Sequence, residues 1–291
     1  MSRDTKNDGD MKNDGQARIW KLTLAYDGTE FRGWQVQPEA PTVQGELQAA
    51  LGRVTGETPL PQGSGRTDAG VHALGQVASF ALRAPIPPEN LRRALNRTLP
   101  AAIRVLDAGM AAEGFHARHS ARAKTYEYRI LTEKAQPGRV CSPFVARYVY
   151  ACPWALDVDA MQRAAAYFEG EHNFVSFAAT DPDLAMRQEE AREDPPTAIR
   201  TIFVSRWERL QGEAGEMLVY RVRGNGFLHH MVRNLVGTMV EVGRGALCAE
   251  GMPAIVAAKS RAAAGPTAPA RGLFLHSVEY EETCADDLLR S

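Results

Sequence analysis

The chain has 291 residues, 44% of them hydrophobic, and a net charge of −1. That apolar content can build one large or two ordinary packed domains, while no apolar run approaches the roughly 18 residues that a membrane span needs. The four cysteines, Cys141, Cys152, Cys248 and Cys284, are widely spaced with no C-x-x-C between them, which argues against a disulfide framework or a cysteine metal site and suits a reducing cytoplasm.

Residues 1–17 are polar, without an apolar stretch, and read as a disordered tail rather than a secretory leader. Strand 18–26 follows, with Trp20, Leu22, Leu24 and Tyr26 on one face, then a turn at Asp27-Gly28. Thr42 caps a helix in which Val43, Leu47, Leu51 and Val54 recur at helical spacing. The glycine-rich stretch GSGRTDAGVHALGQVASF, residues 63–80, leads into a strand over 76–82. Pro87-Pro88-Glu89 opens a helix over 88–98 carrying Arg92, Arg93 and Arg97, and strand 102–107 closes this half. The second half places strands at 124–132 and 145–150, a helix at 158–169, and long strands at 199–209 and 216–224. A helix at 228–243, a short one near 249–260 and a strand at 273–280 complete it. Residues 180–197 read as an acidic surface loop. The alternation predicts an α+β chain of two halves, each an antiparallel sheet with helices on one face.

The average charge conceals a local imbalance. Between Arg66 and Arg129 there are ten Lys or Arg against five Asp or Glu, whereas residues 181–194 hold six acidic and two basic residues. An anionic partner is expected on the first of these.

Several side chains carry competing readings. Gly63-Ser64-Gly65 lacks the later glycine of a dinucleotide loop and the G-K-[ST] of a P-loop. Asp68 in Arg66-Thr67-Asp68-Ala69-Gly70 is either a turn-forming residue bonding nearby amides or a reactive carboxylate. Arg66 is a surface charge, a partner of Asp68 or a ligand group. Tyr126 and Tyr128 share a strand face, as core residues or as a stacking plate for a base, with Arg118, Arg122, Lys124 and Arg129 nearby. Arg233, on the border of the Val232-Leu235-Val236-Met239 stripe, either snorkels or reaches an anion. His229 and His230, read as helix neighbours about 100° apart, diverge, one packed and one exposed. They lack a third ligand at useful spacing, so no metal is expected.

The blocks YDGTEFRGWQ, TVQGELQAAL, GRTDAGVHALGQVASF, FHARHSA, KTYEYRI, GNGFLHHMVRNLVG and TAPARGLFLHSVEY, in this order across residues 19–280, closely resemble the tRNA pseudouridine synthase A family. The resemblance implies two α+β domains (18–117, carrying the catalytic Asp, and 118–291) with ferredoxin- or RNA-recognition-motif-like antiparallel sheets. These form one extended sheet with a central basic cleft. It implies isomerisation of uridine to pseudouridine at positions 38, 39 and 40 of the tRNA anticodon arm, a homodimer, and neither cofactor nor metal. By the same resemblance Asp68 is the catalytic aspartate, Arg66 displaces the target base, Tyr126 packs on the uracil, and Arg233 pairs with the carboxylate. Phe115, His116, Ala117, Arg118 and His119 form an RNA-contacting segment. The chemistry is consistent: the N1–C1′ bond breaks and the base rejoins through C5 without a redox change. A carboxylate can serve as nucleophile or base, and the stacked uridine must first be flipped out. The alternatives are a tRNA-binding protein without activity, which would need no Asp68, and a nucleoside hydrolase, which would need a second carboxylate to activate water.

Overall fold

The computed structural model describes residues 16–132, 140–179, 197–212 and 215–281. The expected polar tail and the acidic loop lie, apart from residues 16, 17 and 197, outside the described residues, as does Cys284.

The chain folds as a mixed α+β protein around one large, mostly antiparallel sheet. Its strands are β1 (Arg18–Tyr26), β2 (Gln62–Gly63), β3 (His72–Leu82), β4 (Ile103–Met110), β5 (Ala121–Thr132), β6 (Tyr150–Cys152), β7 (Gly170–Asn173), β8 (Ile199–Gly212), β9 (Gly215–Gly224) and β10 (Leu273–Tyr280). They lie in the order β4-β1-β3-β10-β5-β9-β8-β7, with β2 beside β3 and β6 beside β5. The last strand therefore sits in the middle. It pairs antiparallel with β5, and parallel with β3 through Phe274–His72 and Leu275–Ala73. Two antiparallel sheets, as the sequence suggests, are thus merged into one by this short parallel join. Strand β1 shows the expected alternation: Trp20, Leu22, Leu24 and Tyr26 are buried and the residues between them are partly exposed.

Helices α1 (Val43–Thr55), α2 (Pro88–Thr98), α3 (Pro143–Ala146), α4 (Val158–Ala166), α5 (Met231–Gly243) and α6 (Met252–Ala257) accompany the sheet. The Gly45 amide donates to the Thr42 hydroxyl at the start of α1, and Gly56, in the left-handed region at φ 77°, ends it. Helix α2 occupies the span expected of it, because Pro88 sits in its first turn.

Other segments differ from the sequence reading for identifiable reasons. The expected strand at 145–150 is a single helical turn, α3, followed by the short β6. Ser142 accepts a hydrogen bond from the Phe144 amide and Pro143 pre-sets φ, so the chain turns there instead of extending. The helix expected from 228 begins only at Met231, since His230 stands at φ 58°. The helix near 249–260 is a 3₁₀ turn over Ala249–Gly251 and then α6, with Pro253 in its first turn.

Helix α5 is the most deeply buried, with Leu235, Val236, Gly237 and Met239 all inaccessible. A methyl group on Gly237 would lie 1.7 Å from the Pro266 carbonyl oxygen. Gly237→Ala should therefore push the 266–268 strand of chain off the helix and destabilise the protein by about 3 kcal/mol. The expected signature is a lower urea midpoint with little change in m-value.

Candidate active site

The loop between β2 and β3 is gripped along its length. Ser64 donates its hydroxyl to the Gln76 side-chain oxygen at 2.6 Å, and Gln76 donates back to the Gly65 carbonyl at 2.8 Å. Lys124 Nζ reaches the Ser64 carbonyl at 2.6 Å. The Thr67 hydroxyl meets the Tyr26 hydroxyl at 2.8 Å, and the Trp34 amide donates to the Thr67 carbonyl at 3.0 Å. Gly33, at φ 93°, lies so close that a Cβ there would be 2.6 Å from the Thr67 carbonyl oxygen. The backbone at this point must be glycine, both for its left-handed conformation and for the approach. The segment 28–34 is thus a mould for residues 66–71.

This mould presents Asp68 to α5. Arg233 Nη1 donates to Asp68 Oδ2 at 2.9 Å, and both side chains are largely buried, 15% and 18% exposed. Arg233 is itself held: its Nε donates to the Ala268 carbonyl at 2.8 Å, and the Ala268 amide donates to the Arg233 carbonyl at 3.1 Å. With one edge of the guanidinium fixed by backbone, the other has a single direction in which to point.

Two further groups face the same carboxylate. His229 Nε2 lies 3.7 Å from Oδ1 and His230 Nε2 lies 3.4 Å from Oδ2. The two rings lie against each other tilted by 36°, with centroids 3.9 Å apart. This corrects the expectation that the histidines diverge as helix neighbours. They precede α5, and the left-handed backbone at His230 turns both rings toward Asp68, each about equally half-buried. One oxygen of Asp68 and a nitrogen from each imidazole lie within 4.8 Å of one another, a donor set that a divalent ion could use. Arg233 already places a permanent positive charge on Oδ2, which opposes a dication at that spot. Asp68 is thus the third group beside the histidines that the sequence spacing did not show, and one of its oxygens is paired with Arg233.

Tyr126 on β5 is 7% exposed and meets Phe227 edge-on, centroids 5.1 Å apart. Burial first, then Tyr26 and Asp68, push its phenol up, so it stays protonated. Lys124, two residues earlier, is lowered from 10.5 to about 8 by burial and then by the charges of Arg118 and Arg200.

The sequence model of the family described as tRNA pseudouridine synthase matches residues 23–119 and 164–281. A tRNA pseudouridine synthase A of Solibacter usitatus is 50% identical over 261 residues, 89% of this chain and 98% of the relative. Its counterpart in Moorella thermoacetica is 49% identical over 262 residues, again 89% and 98%. That of Maridesulfovibrio salexigens is 41% identical over 263 residues, covering 90% of each. The chain belongs to the tRNA pseudouridine synthase family. Nothing in these likenesses supports an inactive protein.

In this member of the tRNA pseudouridine synthase family, the other residues expected at the site lie on the loop of Asp68, for Arg66, and against β3 and β10, for Phe115–His119. Arg66 is exposed on the same loop as Asp68. The Phe115–His119 segment is anchored on the sheet: the Ala117 amide donates to Ser79 Oγ at 2.9 Å and Tyr280 donates to the Ala117 carbonyl at 2.7 Å. Phe115 packs on Tyr280, and the His116 and His119 rings lie 4.3 Å apart. The charge of Arg118 is among those that lower Lys124. Of the other cations expected to meet an anion, Arg92 and Arg93 converge on Glu89 and Arg122 pairs with Glu281. Sequence reasoning missed Gly33, Ala268 and the inward turn of the histidines. None of these had a local signal: residues 228–231, Leu-His-His-Met, hold no glycine or proline to mark the turn.

No helix among the described residues is long and apolar enough to cross a membrane.

Lys124 generates a test. Its folded value, about 8, lies below the unfolded 10.5. Between those two the unfolded chain holds a proton that the folded chain has released, so stability rises with pH across that window. Lys124→Met should lack this gain. Unfolding free energies of both proteins at pH 7.5 and pH 10 should show the wild type improving relative to the variant.

Proposed function

We propose that this chain converts uridine to pseudouridine in tRNA, at positions 38, 39 and 40 of the anticodon arm, with Asp68 as the catalytic carboxylate. The observation that carries the reading is the 2.9 Å pair of Asp68 with Arg233, in a family whose relatives are named tRNA pseudouridine synthase A.

Asp68 acts in its ionised form, as nucleophile or base, while the N1–C1′ bond breaks and the uracil rejoins through C5. Arg233 favours the charged carboxylate in a site largely withdrawn from water. Arg66, exposed two residues before Asp68, fills the space of the flipped base and holds phosphate. Tyr126, protonated and buried beneath the loop, supports the detached uracil while it turns. The isomerisation exchanges one C–H and one N–H with no net redox change, so the residues suffice without a nicotinamide, flavin or metal. Phe115, His116, Ala117, Arg118 and His119 contact RNA at the edge of the site.

The same reading divides the chain into a domain over 18–117 and a second over 118–291, RNA-recognition-motif-like, flanking a basic cleft. The position of β10 between β3 and β5 supports one sheet continuous across both. The protein acts in the cytoplasm as a homodimer that holds tRNA jointly.

The deciding experiment is tritium release from [5-³H]uridine tRNA, with pseudouridine identified in the product. Release without pseudouridine, or free uracil, would defeat the reading. Asp68→Asn should abolish conversion and leave tRNA affinity within a few-fold of wild type, because affinity comes from phosphate contacts. Arg233→Ala should add little further loss in that background. Affinity should also fall steeply with salt, with a log–log slope of about −0.7 to −0.9 per phosphate contact. Light scattering should give a mass near twice 31.8 kDa.

A further inference from the structure

The isomerisation leaves one chemical duty that Asp68, Tyr126 and Arg233 do not discharge. Once C5 is bonded to C1′, its hydrogen must leave as a proton, the C–H electron pair returning to the uracil ring, while N1 ends the reaction carrying a proton. An acceptor must therefore stand close to the reacting sugar carbon, stay unprotonated near neutrality and reach solvent.

Arg233 is a permanent cation and cannot accept. Tyr126 is held as a phenol by burial. Asp68 holds Arg233 through Oδ2 and is assigned to the breaking of the N1–C1′ bond. The remaining titratable groups against the carboxylate are the two imidazoles, with Nε2 atoms 3.7 Å and 3.4 Å from its two oxygens. Any sugar or base atom that Asp68 touches lies within a few ångströms of them, and C5 is one bond from C1′ when its proton departs. Both rings are a little under one third exposed, 29% and 28%, so a captured proton can pass to water. Their centroids are 3.9 Å apart at an angle of 36°, so a proton on one ring repels a second on the other.

We propose that the adjoining His229–His230 pair is the proton acceptor of the isomerisation: the C5 proton passes to an Nε2 of the pair, which exchanges with solvent and allows N1 to be protonated. The groups facing His230 are Asp68, His229, Arg233 and Arg261. Burial pushes its imidazole below the ordinary value; Asp68 opposes this, and His229, Arg233 and Arg261 add to it. His230 is thus held neutral at pH 7. The inference rests on the isomerase reading and deepens it.

Single-turnover conversion of tRNA carrying [5-²H]uridine, against protiated tRNA, tests the assignment. The double variant His229→Gln/His230→Asn removes both acceptors, and Asn tolerates the left-handed backbone at 230. It should bind tRNA like the wild type, convert it about 10²-fold or more slowly, and show a larger C5 isotope effect than the wild type. His230→Gly keeps the conformation and opens space; its rate should recover with added imidazole. A double variant with wild-type rate, or one slowed with no rise in isotope effect, would overturn the assignment. If the double variant fails to fold, His230→Gly decides alone: wild-type rate, or slowing that imidazole does not relieve, overturns it. A wild-type protein that makes no pseudouridine would instead sink the isomerase reading itself.

Discussion

A carboxylate and a guanidinium withdrawn from water hold each other only if both are delivered without slack, since a partner that strays leaves the other charge desolvated. Asp68 and Arg233 stand 165 positions apart in the chain and meet at 2.9 Å. One is delivered by a loop moulded against residues 28–34, the other by a helix whose arginine is braced on the Ala268 carbonyl. The contact between Gly237 and Pro266 sets the distance between that brace and α5. Glycine recurs at these points because each is a place where backbone must touch backbone. Small displacements anywhere along this path translate into a changed ion-pair length.

Much of the fold was legible in the residues. Strand β1 announces itself by alternation, α1 by Thr42 and its apolar spacing, α2 by its prolines. The failures share a cause. Val145, Tyr148 and Val149 read as strand because their apolar character outweighs the signal of a single Ser142-Pro143 pair, yet that pair decides the local backbone. The apolar stripe of α5 extends in register back through Leu228, so the helix seemed to include the histidines until the left-handed residue at 230 broke it. Period describes which face a residue takes within an element and is silent on where the element stops. The site was legible by family motif rather than by geometry. No spacing rule links Asp68 to Arg233, and the role of Gly33 exists only once the Thr67 peptide lies against it.

The cations sort into two kinds. Arg92, Arg93, Arg147 and Arg223 have carboxylate partners at the surface, pairs that contribute little to stability and that a phosphate can open. Around Lys124 the influences on its charge are burial, Arg118 and Arg200, all unfavourable. Lys124 thus lies among other cations beside Ser64, on the reactive loop.

The central place of β10 bears on synthesis. The strand that bridges β3 and β5 follows every other strand in chain order, so a nascent polypeptide can assemble the pieces on either side before the join exists. Until residues 273–275 dock on both neighbours, the strands on either side have no hydrogen-bonded join between them among the described residues.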